Sequence, residues 1–223
     1  MPFMRQLFIL ALAFTLTVSA QQAQPPKPLP ITPDQLWTAL LQGNKTFAAG
    51  KLSFDDLKKE REELIAGQAP PVSVLSCADS RVPPELVFNQ SLGALFVVRE
   101  AGNIADDFAI ASLEFAILNG WTKLIVVLGH EDCGAVKAAL GAGDPNTPAL
   151  MVLAKRIRMS FVGIPYDSRD AANVRRATEA NARYSAAQLL AASKVIRDAV
   201  LTGQVKVVSG YYEFGTGEVK KID

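Results

Sequence analysis

The chain has 223 residues, of which 49% are hydrophobic and 20% are charged, with 23 basic and 22 acidic side chains. This length and apolar content exclude a disordered chain and are sufficient for one domain with a sizeable core. A formal net charge of +1 gives no basic surface for nucleic acid, so we expect no nucleic-acid partner.

The amino-terminal segment has the pattern of a secretory signal. Arg5 precedes twelve mostly apolar residues, 7–18, and small residues end at Ala20. A membrane anchor is the alternative, but a span needs about 20 apolar residues and this run is shorter. We therefore predict a signal peptide over 1–20 and an exported protein, periplasmic or secreted. No later run is apolar enough to cross a membrane, so no membrane association is expected after cleavage.

A proline- and glutamine-rich leader over 21–31 should be extended and solvated. Thr32 before Pro33 is a good N-cap and first-turn pair, which predicts that a helix begins there. A second helix is expected after Ser53, ending at Gly67. These two helices form a predicted N-terminal helical arm.

Four short runs rich in β-branched residues read as strands that are largely buried, because they do not alternate cleanly. They are "PVSVLSCA", "ALFVVRE", "KLIVVLG" and "QVKVVSGYY". Helical patterns lie between them, which implies parallel crossovers. The predicted fold class is α/β, with a mostly parallel central β-sheet flanked by helices and the N-terminal helical arm, in a single domain over 32–223.

Two of the helical patterns carry specific expectations. In "DDFAIASLEFAILNG", Gly120 is the expected C′ residue of the helix. The residues of this helix predicted to share one face are Phe108, Ala111, Phe115 and Leu118. The segment 173–201 forms either one long helix or two, closed by Gly203.

The chain has one histidine and two cysteines, and all three follow predicted strands. Cys77 ends the first strand, while His130 and Cys133 follow the third, where a helix should begin. The carboxyl ends of parallel strands are where open α/β sheets place their sites. Two thiolates and an imidazole suit Zn²⁺ and leave a fourth position open, as in catalytic zinc sites. The alternative is a Cys77–Cys133 disulfide beside a buried histidine.

Two charged residues lie close to the first cysteine. Asp79 and Arg81 follow Cys77 by two and four residues, so in an extended segment all three point to the same side. Beside a metal, the carboxylate can accept a hydrogen bond from bound water while the arginine holds that carboxylate in place. The alternative is a surface ion pair that contributes little.

At this point the sequence resembles the β-class carbonic anhydrases. The C-x-D-x-R motif at 77–81 and the H-x-x-C motif at 130–133 both match that family. The likeness extends through "DSRVPPELVF", "GALFVVREAGN", "SLEFAILNGWTKLIVVLGHEDCGAV" and "VVSGYYEFGTGEV", and so covers most of the chain from about Gln68 onward.

The resemblance implies reversible hydration of CO₂ to bicarbonate and a proton by zinc-bound hydroxide. In this interpretation Cys77, His130 and Cys133 hold zinc. Asp79 orients the hydroxide, and Arg81 keeps Asp79 ionised and in place. Two other classes stay open: a hydrolase of a CO₂ analogue, such as carbonyl sulfide or carbon disulfide, and a non-catalytic zinc-binding or redox module.

The resemblance also implies a substrate pocket and an assembly. Gln68 matches a glutamine whose amide donates to a substrate oxygen, although it could simply be a polar turn residue. Phe96 matches an apolar wall of the CO₂ pocket, with core packing as the alternative, and Gly102 and Asn103 match a loop near the site. Members of the family wrap an N-terminal arm on a partner and build the site at the interface. We therefore expect a homodimer or a dimer of dimers.

Part of the family closes its zinc site when bicarbonate occupies a regulatory pocket made by a tryptophan, an arginine and a tyrosine. Arg99 matches the arginine, but Val74 stands at the tryptophan position and Glu213 at the tyrosine position. Valine offers no indole N–H donor and a carboxylate repels bicarbonate. The resemblance therefore implies an open site with Asp79 off the metal.

Overall fold

The structure is a computed structural model that describes residues 31–54, 56–141 and 146–223. The predicted signal peptide, 1–20, and nearly all of the predicted leader lie outside these residues. The helices are α1 (Pro33–Ala48), α2 (Leu57–Glu63), α3 (Pro84–Val87), α4 (Asp107–Leu118), α5 (Gly134–Leu140), α6 (Pro148–Arg158), α7 (Ala171–Ala192) and α8 (Lys194–Leu201). The strands are β1 (Val72–Ser76), β2 (Leu95–Arg99), β3 (Leu124–His130), β4 (Lys206–Tyr212) and β5 (Val219–Lys221). No helix in the described part of the chain is both long and apolar enough to cross a membrane.

The five strands form one sheet in the order β2-β1-β3-β4-β5. The first four are parallel, and β5 pairs antiparallel with β4. The predicted mostly parallel sheet with flanking helices is thereby confirmed. The three-residue strand β5 was not predicted, because a segment this short has no periodicity to detect.

The strands differ in burial according to their position in the sheet. Both β1 and β3 are buried along their whole length, as predicted for central parallel strands. The same burial was predicted for β2, but every residue of this strand is only partly buried. This strand is an edge of the sheet, so one side of its backbone has no neighbouring strand.

Helix α1 begins as predicted, with a capping box in which Thr32 and Gln35 each bond to the other's backbone N–H. It packs on its own sheet, since its apolar side chains Leu36, Trp37 and Leu40 join the core formed with β1, β3 and β4. The buried Asn44 amide donates to the carbonyls of Val87 and Gly217, at 3.0 and 2.9 Å. This half of the predicted arm therefore covers one face of the same chain.

The second helix starts later than predicted. Its N-cap is Asp56 rather than Ser53, because the Asp56 carboxylate accepts from the N–H groups of Lys58 and Lys59. A 3₁₀ turn at 64–66 continues α2 to Gly67, where the predicted end is found.

Helix α4 presents two apolar faces. The four residues predicted to share a face do so, but that face is exposed, with Phe108 82%, Phe115 53% and Leu118 71% accessible. The face that packs on the sheet carries Ala109, Ile110, Leu113 and Ala116. Its two alanines allow close approach to the strands, and the bulky aromatic face is left outside. Gly120 follows the helix with φ 73°, as expected of a C′ residue.

Two helices occupy the segment 173–201, which settles the open alternative. Ser193 has extended backbone angles and breaks the segment between α7 and α8. Its hydroxyl accepts from the N–H of Ile196 and donates to Glu114 at 2.5 Å. Side chains from both helices, including Leu189 and Ile196, complete the core on the sheet face opposite α1.

Candidate metal centre

Three potential metal ligands converge at the carboxyl edge of the sheet. Cys77 directly follows β1, His130 is the last residue of β3, and Cys133 is the N-cap of α5. Because β1 and β3 are neighbouring parallel strands, their ends meet, and a tight turn with Asp132 at φ 52° carries the chain from His130 to Cys133. The three ligand atoms lie within 4.8 Å of one another, and all three residues are buried.

The two cysteines are free thiols rather than a disulfide. Their Sγ atoms are 4.0 Å apart, well beyond the bonded distance of about 2.05 Å. The hydrogen bond with Cys133 lowers the pKa of Cys77 to about 4, with further help from His130 and the Gly102 N–H, which lies 3.2 Å from Cys77 Sγ. The same bond and burial raise the pKa of Cys133. Of the two sulfurs, that of Cys77 is therefore the one that ionises more readily.

His130 is oriented as a ligand. Its Nδ1 lies 2.8 Å from the carbonyl oxygen of Glu131, so Nδ1 carries the proton and donates. Its Nε2 is fully buried and has no hydrogen-bond partner among the described residues. A buried nitrogen lone pair without a partner is unfavourable unless something binds it. Together with two sulfurs, it forms a donor set that fits Zn²⁺.

An anionic carboxylate faces this cluster. Arg81 donates to both oxygens of Asp79, from Nε at 2.9 Å and from a terminal nitrogen at 2.7 Å, and its backbone N–H donates as well. These bonds hold the pKa of Asp79 well below its usual range. Asp79 Oδ2 lies 4.0 Å from His130 Nε2, and the Asp79 side chain is 16% exposed. The carboxylate thus borders both the ligand cluster and the solvent.

Two residues near the cluster had no role assigned from the sequence. These residues are Phe214 and Glu131. Arg81 Cζ lies 4.1 Å from the centroid of the Phe214 ring, and the centroids of the Phe214 and His130 rings are 5.5 Å apart. The backbone N–H of Phe214 donates to the Glu131 carboxylate at 2.7 Å. In the sequence, the only indication of a role was that Phe214 and Glu131 belong to segments that match the family, "VVSGYYEFGTGEV" and "GHEDCGAV".

The predicted site residues Gly102 and Asn103 lie beside the cluster. Gly102 has φ 69°, and a Cβ there would come within 2.8 Å of Ile157 Cδ1, so both backbone and packing require glycine. Its carbonyl accepts from the buried Asn181 at 2.6 Å. Asn103 is fully buried, and neither polar atom of its amide has a partner among the described residues.

The predicted substrate residues Gln68 and Phe96 do not join this cluster within one chain. Gln68 is exposed and precedes β1, at the amino edge of the sheet. Phe96 pairs in register with Ser73 near the amino end of β1, and its ring packs 6.3 Å from that of Trp121. Both therefore lie at the edge opposite Cys77.

The three residues compared with the family's regulatory pocket are buried in the core or engaged in other bonds. Val74 is fully buried in the core. Arg99 donates to the backbone carbonyls of Cys77 and Asp79, at 3.0 and 2.5 Å. Glu213 forms ion pairs with an arginine and a lysine, each at 2.8 Å.

Comparisons with known proteins identify the family to which this chain belongs. A sequence profile described as carbonic anhydrase matches residues 72–219. "Carbonic anhydrase 2" of Mycobacterium tuberculosis is 36% identical over 192 residues, covering 83% of this chain and 90% of that protein. The carbonic anhydrase of Mycolicibacterium smegmatis is 35% identical over 195 residues, covering 84% and 92%. A tetrameric β-carbonic anhydrase of Sordaria macrospora shares the fold, with a TM-score of 0.66, 23% identity and coverage of 83% and 95%. The chain belongs to the β-class carbonic anhydrase family.

Proposed function

We propose that this enzyme catalyses the reversible hydration of CO₂ to bicarbonate and a proton, with zinc held by Cys77, His130 and Cys133. The family supports the reaction. The observation that carries the metal assignment is the buried His130 Nε2, which has no hydrogen-bond partner in the described part of the chain and lies close to two cysteine sulfurs. When bound, zinc supplies the Lewis acid that makes a water molecule nucleophilic at neutral pH.

Asp79 orients the attacking water. Arg81 keeps this side chain ionised, and a carboxylate with such a depressed pKa is too weak a base to take the proton at neutral pH. It can still accept a hydrogen bond from the water, which turns an oxygen lone pair towards the carbon of CO₂. Asp79 therefore acts by positioning, and Arg81 acts by holding it.

The proton released in the reaction must leave without a histidine relay. His130 is the only histidine of the chain, and its Nδ1 proton is engaged by the Glu131 carbonyl. The Asp79 side chain is partly exposed, which opens the site to solvent at this point. We assign proton export to water and buffer molecules that enter there.

The decisive experiment measures zinc content and CO₂ hydration rate on the same purified sample. We expect about one zinc per chain and hydration that follows the zinc content. Carbonyl sulfide and carbon disulfide are assayed in parallel. Hydrolysis of either compound without CO₂ hydration would refute the proposed reaction and identify the enzyme as a hydrolase of a CO₂ analogue. Bound zinc without any of these activities would indicate a non-catalytic zinc-binding module.

We propose that the enzyme is a homodimer, or a dimer of dimers, and that a second copy completes the substrate pocket. Edge strand β2 is only partly buried, and the α4 face bearing Phe108, Phe115 and Leu118 is exposed beside it. Apolar surface of this kind is typical of an interface. A two-fold pairing with the sheets antiparallel brings the amino edge of one chain, with Gln68 and Phe96, to the carboxyl edge of the other.

We also propose export, on the basis of the signal pattern at residues 1–20. Cleavage after Ala20 leaves a mature amino terminus at Gln21. Mass spectrometry of the protein purified from its native cells, after separation of periplasm and cytoplasm, tests this. A cytoplasmic protein that retains Met1–Ala20 would refute it.

A further inference from the structure

We infer that Phe214 is a positioning residue for catalysis, and that it acts through Arg81 on Asp79. The inference rests on the proposed function, because it concerns how the carboxylate of that mechanism is held. The Asp79–Arg81 pair is only partly protected from solvent. The Arg81 side chain is 51% exposed, and exposed ion pairs exchange readily with water.

The ring of Phe214 restrains Arg81 from a second side. The guanidinium carbon lies 4.1 Å from the ring centroid, a distance at which a cation is attracted to the face of an aromatic ring. Asp79 binds one edge of the Arg81 guanidinium, and the Phe214 ring packs against the face of this group. The guanidinium therefore has a defined orientation. It can then present two parallel N–H groups to the carboxylate continuously.

Phe214 is itself fixed to the segment that carries the metal ligands. Its backbone N–H donates to the Glu131 carboxylate, and the Glu131 carbonyl accepts from His130 Nδ1. Its ring meets the His130 ring at 5.5 Å and the Tyr212 ring edge-on at 5.6 Å. Phe214 is therefore anchored to the histidine ligand on one side and supports Arg81 on the other.

These contacts link the histidine ligand to the carboxylate through a series of neighbouring residues. They run from His130 through Glu131, Phe214 and Arg81 to Asp79, whose Oδ2 lies 4.0 Å from His130 Nε2. This series of contacts sets the position of the carboxylate relative to the histidine ligand. If the ring is lost, Arg81 can turn towards solvent, and Asp79 loses its orientation while the metal ligands stay in place.

A double-mutant cycle tests this inference on the zinc-loaded enzyme. We expect Phe214→Leu to lower kcat/KM for CO₂ by about tenfold, with zinc content unchanged. In an Arg81→Gln background the same substitution should cost less than about twofold, because the residue it acts through is gone. Equal losses in both backgrounds would overturn the inference and indicate a general packing role.

Two further variants control for packing and for ring chemistry. Phe214→Tyr keeps the aromatic face and should recover most of the rate that Phe214→Leu loses. Phe47→Leu removes a ring from α1 that also packs near Tyr212, at 6.2 Å, and it should leave the rate within about twofold. A tenfold loss in Phe47→Leu would assign the effect to the aromatic cluster instead of to Arg81.

A measurement independent of activity separates this inference from the proposed function. The Nε–H signal of Arg81 in ¹⁵N NMR spectra of the zinc-loaded enzyme should carry a ring-current shift and be protected from exchange with water. Phe214→Leu should abolish the shift and speed the exchange several-fold, while Phe214→Tyr retains both. An unchanged signal in Phe214→Leu refutes the contact. An enzyme without CO₂ hydration but with the expected signals refutes only the proposed function.

Discussion

The two edges of the sheet differ in kind. At the carboxyl edge, the arginines around the candidate metal centre form their bonds within one chain, since Arg81 donates to Asp79 and Arg99 donates to the Cys77 carbonyl. At the amino edge and along β2, Gln68 and the aromatic face of α4 are exposed in the part of the chain that the structure describes. The contrast favours the proposed assembly, in which one chain supplies all three candidate metal ligands and a second copy completes the substrate pocket.

The largest expected effect breaks the carboxyl edge itself. Cys133→Ser removes a sulfur from the three-ligand set, so zinc should fall from about one to less than a tenth per chain, and hydration should fall to background. Metal analysis and CO₂ hydration on the same sample measure both. Removal of zinc from the wild-type enzyme by a chelator serves as the matched comparison, and re-addition should restore activity only to the wild type. Full zinc retention by Cys133→Ser would remove this residue from the ligand set.

The next effect separates metal binding from catalysis at the same edge. Asp79→Asn should keep zinc but lower kcat/KM by about 100-fold, because the amide can donate to the water and misorient it. Metal analysis and stopped-flow hydration assays test this. A rate within about twofold of the wild type would show that the Asp79–Arg81 pair is a surface ion pair without a catalytic role.

A third substitution tests the apolar side of the comparison. Phe108 is 82% exposed on α4, so Phe108→Asp should leave the fold intact but place a charge in the proposed interface. We expect a one-chain mass by light scattering at micromolar concentration and about a tenfold loss of kcat/KM, because the partner's contribution to the pocket is lost.

Leu201→Asp is the matched control, since Leu201 is 78% exposed at the end of α8 and does not belong to the α4 face. It should change neither mass nor rate. A dimer that persists in Phe108→Asp, or a wild-type enzyme that is already monomeric, would contradict the proposed assembly.

The smallest effect on activity concerns α1. Asn44→Ala removes the bonds to the buried Val87 carbonyl and to the partly buried Gly217 carbonyl, which should lower the free energy of unfolding by about 2–3 kcal/mol. Activity at 25 °C should stay within about twofold. Thr46→Ala, whose hydroxyl bonds only within α1, should have little effect on stability.

Thermal unfolding measures the loss in Asn44→Ala, and light scattering at several concentrations measures the assembly. If dimer dissociation changes while the unfolding temperature does not, α1 packs on the partner rather than on its own sheet. That result would mean that the N-terminal arm, like the amino edge of the sheet, depends on a second copy.

Much of the fold could be predicted because its signals are local. The buried strands β1 and β3 are continuous β-branched runs, and α1 begins at a cap that four consecutive residues define. The ligand set could be predicted for another reason. Only three residues of the chain could supply a thiolate or an imidazole, and all three lie at or just after the ends of predicted strands.

What the sequence by itself determined is therefore most of the helices and strands, the mostly parallel arrangement of the sheet and the chemical identity of the candidate ligands. Only the tertiary structure decided which face of α4 is buried, that β2 is an edge, and that Phe214 lies beneath Arg81 beside His130. It also placed Gln68 and Phe96 at the edge opposite Cys77, where one chain cannot bring them to the metal centre. The physical reason is that a cap or a period depends on neighbours in sequence, whereas burial and ring contacts depend on residues far apart in the chain, such as Arg81 and Phe214, that meet only when the sheet and helices pack.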